Sequence, residues 1–492
     1  MNPTVTTSSG QVGGHPVGDG VTAFLGIPYA APPIGPLRFA PPQPHPGWGG
    51  VREAATHGAA APQALPGPGR PIVDLSVSAE SEDCLTLSVW SPDPTPGTRL
   101  PVMVWVHGGA FVVGGSSVAA YDGARLAARG VVVVGINYRL GLAGWLRCLD
   151  AGASGNQALA DQIAALEWVR AETEAFGGDP ANVTVFGESA GGASIVSHLA
   201  RGGDLPFDRA IIQSGAHNLC KAVDEAEDVA LKVAADLGGD LASLATMPSA
   251  ELQALQERVA PRSAGVLFGP VADGDLVPAD PAAALAGGSA AGVDLLAGTN
   301  LDEMGFFWGR DDRFDEISDG FLAGMVGRWT GDAAAADTAI EGYRAARSAR
   351  GAPVDNRALA MAMGADWTFR APVAQVAGWQ AEHARAWSYL FDWPSPLYDG
   401  LVGSAHTLEL PFVFGTHDHS TCRGFTGGAS PAADALAELM ATTWVRFASG
   451  DGAAWDPYDT DRRPTQIFGA EPRVEHNPGG AELDLMFAHV SR

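Results

Sequence analysis

Ser189 stands in Gly187-Glu188-Ser189-Ala190-Gly191, and this G-x-S-x-G pattern is the stretch of the chain with the most chemistry in it. Val183, Val185 and Phe186 precede it as a short apolar, β-branched run, and Ala190, Ala193, Ile195 and Val196 follow it with helical spacing. The serine therefore belongs on a strand-to-helix turn. Flanking glycines let strand and helix pack closely there, while the serine takes a strained backbone that pushes its hydroxyl outward. The next amides, Ala190 first, open a helix and face the space where a developing oxyanion would gather charge.

A serine hydroxyl is a poor nucleophile until an imidazole takes its proton, and the imidazole needs a carboxylate to fix its tautomer. On a fold of this kind the order along the chain is nucleophile, acid, histidine. Order alone leaves Asp302 or Glu303 as the acid and His406, His417 or His419 as the base. His417-Asp418-His419, with Cys422 nearby, invites a metal reading, but it follows a glycine turn and reads as a polar surface loop. His107 and His198 read as structural. His107-Gly108-Gly109-Ala110-Phe111 closes a buried apolar strand, where a glycine pair lets backbone amides approach a substrate oxygen.

These groups need a scaffold, and the apolar runs supply one. Val21–Ile27, Leu85–Trp90, Leu100–Val106, Val131–Asn137, Ala210–Gly215, Val293–Gly298 and Ala384–Trp393 read as strands, the last being the final convincing one. Helices are expected over about 157–173, within 221–258 and over about 432–449, and residues 10–50 read as irregular wrapping. Residues 312–383 look mostly helical and form a side region over the pocket. Strand, helix, strand, elbow is the rhythm of an α/β fold with a large, mostly parallel twisted sheet. No linker or repeat divides the 492 residues, so one domain spanning 1–492 is expected.

Asp+Glu 56 against Lys+Arg 30 gives a formal charge of -26, which opposes nucleic acid and anionic membrane as partners. The amino terminus lacks the basic start and apolar core of a secretion signal, and no run reaches the ~18 apolar residues of a membrane span. A cytoplasmic protein is expected. Cys84, Cys148, Cys220 and Cys422 are scattered without metal-binding spacing, and reduced thiols are expected.

Taken together the motifs identify the chain as similar to the type-B carboxylesterases, the family of bacterial p-nitrobenzyl esterases and cholinesterases. G-I-P-Y-A-A-P-P-I-G-P-L-R-F, W-G-G-V-R-E-A-A-T, S-E-D-C-L-T-L-S-V-W, H-G-G-A-F, N-Y-R-L-G, D-Q-I-A-A-L-E-W-V, the elbow, G-T-N-L-D-E and H-T-L-E-L-P-F-V-F-G occur in the family's order. The resemblance implies an α/β-hydrolase fold and hydrolysis of carboxylic esters through an acyl-enzyme. It implies Ser189 as nucleophile, Glu303 as acid, His406 as base, and the amides of Gly109, Ala110 and Ala190 as oxyanion donors. Ser214 would support the acid, and Arg38 with Glu82 would form a structural ion pair.

Secreted relatives pair the cysteine of E-D-C-L with an upstream partner, whose place here is taken by Ala61. Phe111, Phe268, Phe306, Phe307 and Trp308 lie near motif ends as candidate walls of an apolar pocket. The expected partner is a small, uncharged, fairly hydrophobic ester, with neither metal nor cofactor, on a monomer or small homo-oligomer. The same triad also serves acyl transfer or lactone processing, and relatives that lack it are binding proteins.

Overall fold

Both faces of the strand Leu100–Val106 are covered, and that is why it reads as an unbroken apolar run. In the computed structural model, which describes residues 2–63, 73–261, 266–309, 311, 314 and 316–490, Val102, Val104 and Val106 face one core layer while Met103 and Trp105 face another. On one side lie the helices Gln157–Glu172, Ala190–Arg201 and Ala371–Ala381. On the other lies Pro431–Ala448, which brings Leu436, Met440, Trp444 and Phe447 against Trp105 and Phe186.

The sheet has eleven strands, ordered Arg473–His476, Pro464–Phe468, Ala386–Phe391, Asp294–Asn300, Arg209–Gln213, Gly178–Glu188, Leu100–Val106, Val132–Ile136, Thr86–Ser91, Val21–Pro28 and His15–Gly18. Every pairing from Pro464–Phe468 across to Val132–Ile136 is parallel, and the outer pairings are antiparallel. The elbow strand Gly178–Glu188 lies in the middle, so Ser189 emerges at the centre of the carboxyl edge, where open α/β sheets bind ligands.

Four features depart from the sequence reading. Ala386–Phe391 is not the final strand: Pro464–Phe468 and Arg473–His476 extend the sheet beyond it. Their short length and interleaved polar residues hid them. Residues near the amino terminus are less irregular than expected, because Thr4–Thr7, Gly10–Gly13 and His15–Gly18 are strands.

The third concerns residues 312–383, of which 312, 313 and 315 lie outside the described residues. The helices Asp319–Thr330, Ala333–Ala349 and Asn356–Ala365 pack around their own core of Leu322, Met325, Val326, Tyr343, Leu359 and Met363. Ala371–Ala381, in contrast, belongs to the sheet, where Val373, Val376 and Ala377 join the main core. A helix that the sequence reading omitted, Gly480–Val490, brings Leu483 and Met486 into the side core.

Gly191 shows how tightly the elbow helix is seated. A Cβ there would stand 2.0 Å from the carbonyl oxygen of Val106, and one at Gly187 would stand 2.7 Å from the same atom. Backbone cannot yield as a flexible side-chain tip can. Gly191→Ala is therefore expected to cost about 3 kcal/mol, the upper end for overpacking, read as a lower midpoint in urea denaturation. An unchanged midpoint would mean that the helix slides off the strand at no cost.

Candidate active site

Ser189 has φ 54° and ψ −118°, a conformation that L residues rarely adopt. Two hydrogen bonds hold it: its N–H donates to the Gln213 carbonyl at 2.8 Å, and its own carbonyl accepts from Ala193 N–H at 2.9 Å. The side chain remains partly open to solvent while its neighbours Glu188 and Ala190 are buried. Sterics between two glycines, acting locally, produce this exposure.

Beside the elbow, the strand Asp294–Asn300 ends in a turn that carries Glu303, which is fully buried. Its Oε1 accepts from the Asn300 N–H at 2.8 Å and from Ser214 Oγ at 2.5 Å. Its Oε2 lies 2.6 Å from His406 Nδ1. His406 comes from the loop between Ala386–Phe391 and the short helix Leu410–Val413, and its N–H donates to the Glu303 carbonyl at 3.4 Å. The structure thus brings Glu303 and His406 together beside Ser189.

The alternatives that chain order left open lie elsewhere. The Asp302 carboxylate accepts from the Ser404 N–H at 2.9 Å and makes no hydrogen bond to an imidazole among the described residues. His417 corrects the surface-loop reading, because it is buried, stacked on Phe412 and 2.8 Å from Asp434. A polar-looking triplet hid its apolar neighbour in three dimensions. His419 is exposed and bonds Thr421 at 2.8 Å. His107 stacks on Tyr138 and bonds the Gly108 carbonyl, and His198 bonds Gln162 at 2.9 Å. Arg38 and Glu82 form the expected ion pair at 2.7 Å.

His406 Nε2 faces Glu188 Oε1 at 3.0 Å, and no hydrogen bond joins the imidazole to Ser189 Oγ. The approach has the distance of an ion pair without hydrogen-bond alignment, since Glu188 Oε1 makes no hydrogen bond. Catalytic contacts are often loose without substrate and tighten in the complex. Burial pulls the His406 imidazole down, but Glu188 and Glu303 together outweigh it and hold it well above the ordinary histidine range. Burial pushes Glu188 up as well, against the opposing pull of His406. Nε2, the atom a general base presents to serine, is therefore turned toward Glu188 in this arrangement.

A third carboxyl, Glu409, was not singled out from the sequence. It is fully buried and accepts from Gln213 Nε2 at 3.0 Å and Asn300 Nδ2 at 2.7 Å. Its position three residues after His406 was its only signal. Burial, then the charge on Glu188, raises it to about 8, with the Asn300 bond pulling the other way. Below about pH 4 the carboxyl is protonated in both folded and unfolded chains. Between there and about pH 8 the folded chain keeps a proton that the unfolded chain releases, so stability falls as pH rises through this window. From pH 6 to pH 9 the unfolding free energy of the wild type is expected to drop on the order of 2 kcal/mol further than that of Glu409→Gln. Urea titrations at the two pH values measure this, and equal drops would refute it.

The loop after Leu100–Val106 carries three successive positive φ values, 113° at Gly109, 53° at Ala110 and 65° at Phe111. This bend turns the Gly109 carbonyl inward to accept from the Val112 and Val113 amides, both at 3.0 Å. The N–H groups of Gly109, Ala110 and Ala190 make no hydrogen bond among the described residues. A Cβ on Gly108 would stand 3.2 Å from Ser189 Cβ, so the loop lies directly against the elbow.

Aromatic rings enclose the imidazole. Phe306, Phe307 and Phe369 have centroids 5.8, 5.2 and 4.7 Å from His406. Phe369 was missed because it comes from the π-helical turn Asp366–Arg370 in the helical region, far along the chain. Of the other candidate walls, Phe111 packs on Trp145, whereas Trp308 stacks on Phe314 in the side core.

A central parallel sheet, a strained serine elbow and a buried Glu–His pair at its carboxyl edge define the class as an α/β-hydrolase. Within that class the chain belongs to the carboxylesterase family, whose model matches residues 1–485. It is 36% identical over 506 residues to a para-nitrobenzyl esterase of Bacillus subtilis (strain 168), covering 98% of each chain. It is 34% identical to a Homo sapiens cocaine esterase, covering 95% of this chain and 88% of that one.

Among solved structures, a thermophilic para-nitrobenzyl esterase superposes with a TM-score of 0.86 at 34% identity, covering 99% of this chain and 100% of that one. A carboxylesterase of Geobacillus stearothermophilus gives 0.86 at 33% identity, covering 98% and 99%. The protein is a carboxylic ester hydrolase.

Proposed function

We propose that Ser189 is the nucleophile, His406 the general base and acid, and Glu303 the group that orients His406. The observation that carries this reading is the relay from Ser214 Oγ and Asn300 N–H to Glu303 to His406 Nδ1, beside a strained, partly exposed serine. With an ester bound, the imidazole leaves Glu188 and Nε2 takes the proton from Ser189 Oγ as that oxygen attacks the carbonyl carbon. The amides of Gly109, Ala110 and Ala190 hold the tetrahedral oxyanion. Collapse breaks the C–O bond to the alcohol, which leaves with the proton from Nε2. Water then attacks the acyl-enzyme with His406 again as base, releasing the carboxylic acid.

The preferred substrates are uncharged esters with bulky apolar or aryl groups. Phe306, Phe307 and Phe369 supply apolar walls beside His406, which favour apolar over charged groups there. Relatives named for para-nitrobenzyl and pyrethroid hydrolysis support the same preference. Hydrolysis of a p-nitrophenyl series from acetyl to long acyl, with an organophosphate titration of Ser189, tests the reading. Turnover without labelling of Ser189 would move the nucleophile elsewhere.

The chain works as one hydrolase domain, with the helical part of 312–383 at the side of the site, and it resides in a reducing compartment, the cytoplasm. Supporting the latter, all four cysteines are free, and Cys84 shares a cavity with Ala61 rather than with a second thiol. No helix among the described residues is long and apolar enough to cross a membrane.

A further inference from the structure

A cavity lies between the strands Asp294–Asn300, Ala386–Phe391 and Pro464–Phe468 and the helix Ala371–Ala381. It holds about 420 Å³ of empty space with its mouth included, and its closed part is narrow. Thr299, Ser388, Tyr458, Arg370, Arg463 and Asn477 line it, an unusual gathering of donors in a chain of net charge -26.

The donors outnumber the acceptors. Thr299 and Tyr458 are 2% and 6% exposed, yet neither hydroxyl has a hydrogen-bond partner among the described residues. Neither oxygen is sealed from solvent, so both hydroxyls open on the cavity as donors that a bound acceptor could take up. Arg463 gives Nη1 to Asp484 at 2.7 Å and Asn477 at 3.1 Å, and its Nη2 makes no hydrogen bond among the described residues. Arg370 bonds the Pro478 carbonyl and approaches Asp366 only to 3.6 Å.

We propose that this cavity binds a small carboxylate, the anion class that ester hydrolysis releases. Two guanidiniums and two hydroxyls are the donor types that a carboxylate accepts, and all four line this one cavity. Asp366 and Asp484 offset most of the positive charge, and the acidic surface repels a second negative charge, so a monoanion fits better than a dianionic phosphate. The strand that supplies Thr299 continues into Asn300, whose N–H holds Glu303, so product bound here sits one residue from the support of the acid.

Acetate titrations followed by saturation-transfer NMR test this on the wild type, Ser189→Ala, Thr299→Val, Tyr458→Phe and Arg463→Gln. Saturable binding is expected, unchanged in Ser189→Ala, weakened about 10-fold or more in Arg463→Gln and several-fold in the near-isosteric Thr299→Val and Tyr458→Phe. All three cavity variants are expected to retain ester turnover at low product. Equal acetate affinity in the wild type, Thr299→Val and Tyr458→Phe would overturn the site even if Arg463→Gln failed to fold. Inorganic phosphate that displaces acetate at lower concentration than acetate itself requires would overturn the choice of a carboxylate.

Discussion

Ser189→Ala is expected to lower kcat on an activated aryl ester by about 10⁶-fold while leaving the unfolding midpoint unchanged. The first half follows from the proposed role of Oγ as the attacking atom. The second follows from the backbone: alanine and serine meet the same cost at φ 54°, and Ser189 Oγ makes no helix-capping hydrogen bond among the described residues. Because the serine and the imidazole act as one unit, His406→Ala is expected to cost about as much, and the double variant no more than either alone. Steady-state kinetics with organophosphate titration measure this. A Ser189→Ala enzyme that keeps more than about 1% of the wild-type rate would overturn the assignment, while membership of the esterase family would stand.

For Glu303→Gln the expected loss is about 10⁴-fold in kcat with little change in KM. The geometry explains why so small a change does so much. Oε1 accepts from two donors, Ser214 Oγ and the Asn300 N–H. Glutamine keeps both bonds only by placing its oxygen there, which turns its NH₂ toward His406 Nδ1. The imidazole must then accept at Nδ1 and carry its proton on Nε2, the atom that has to take the proton from serine. The tautomer is wrong while every contact survives. A pH profile of kcat separates this from general destabilisation, because the loss persists at every pH where the protein is folded. Recovery of activity on raising the pH would instead point to a lost charge.

Much of this arrangement was legible in the chain. Gly187 and Gly191 around Ser189 announce the elbow as a pattern within five residues, although the 2.0 Å between a Cβ at position 191 and the Val106 carbonyl is a contact with the neighbouring strand Leu100–Val106. The strand over 294–300 and the H-G-G loop could be read in the same way. Order along the chain did not separate Asp302 from Glu303 or His406 from His417. Adjacent residues on an irregular turn point in different directions, with no periodicity to say which. The resemblance to the family made that choice, and in the structure Glu303 meets His406 whereas Asp302 turns to Ser404.

By itself, then, the sequence determined the local grammar of this protein: the buried strands, the strained serine turn and the glycines that admit backbone amides. Each depends on sterics or side-chain alternation acting over a handful of residues. Only the tertiary structure decided that Glu188 faces His406 Nε2, that Glu409 lies buried near both, and that Phe369 reaches the imidazole from the helical region. It also decided that Pro464–Phe468 extends the sheet and that Gly480–Val490 completes a separate core. The physical reason is that these contacts join residues far apart in the chain, and their energies depend on burial and on neighbouring charge, which packing creates and no local pattern contains.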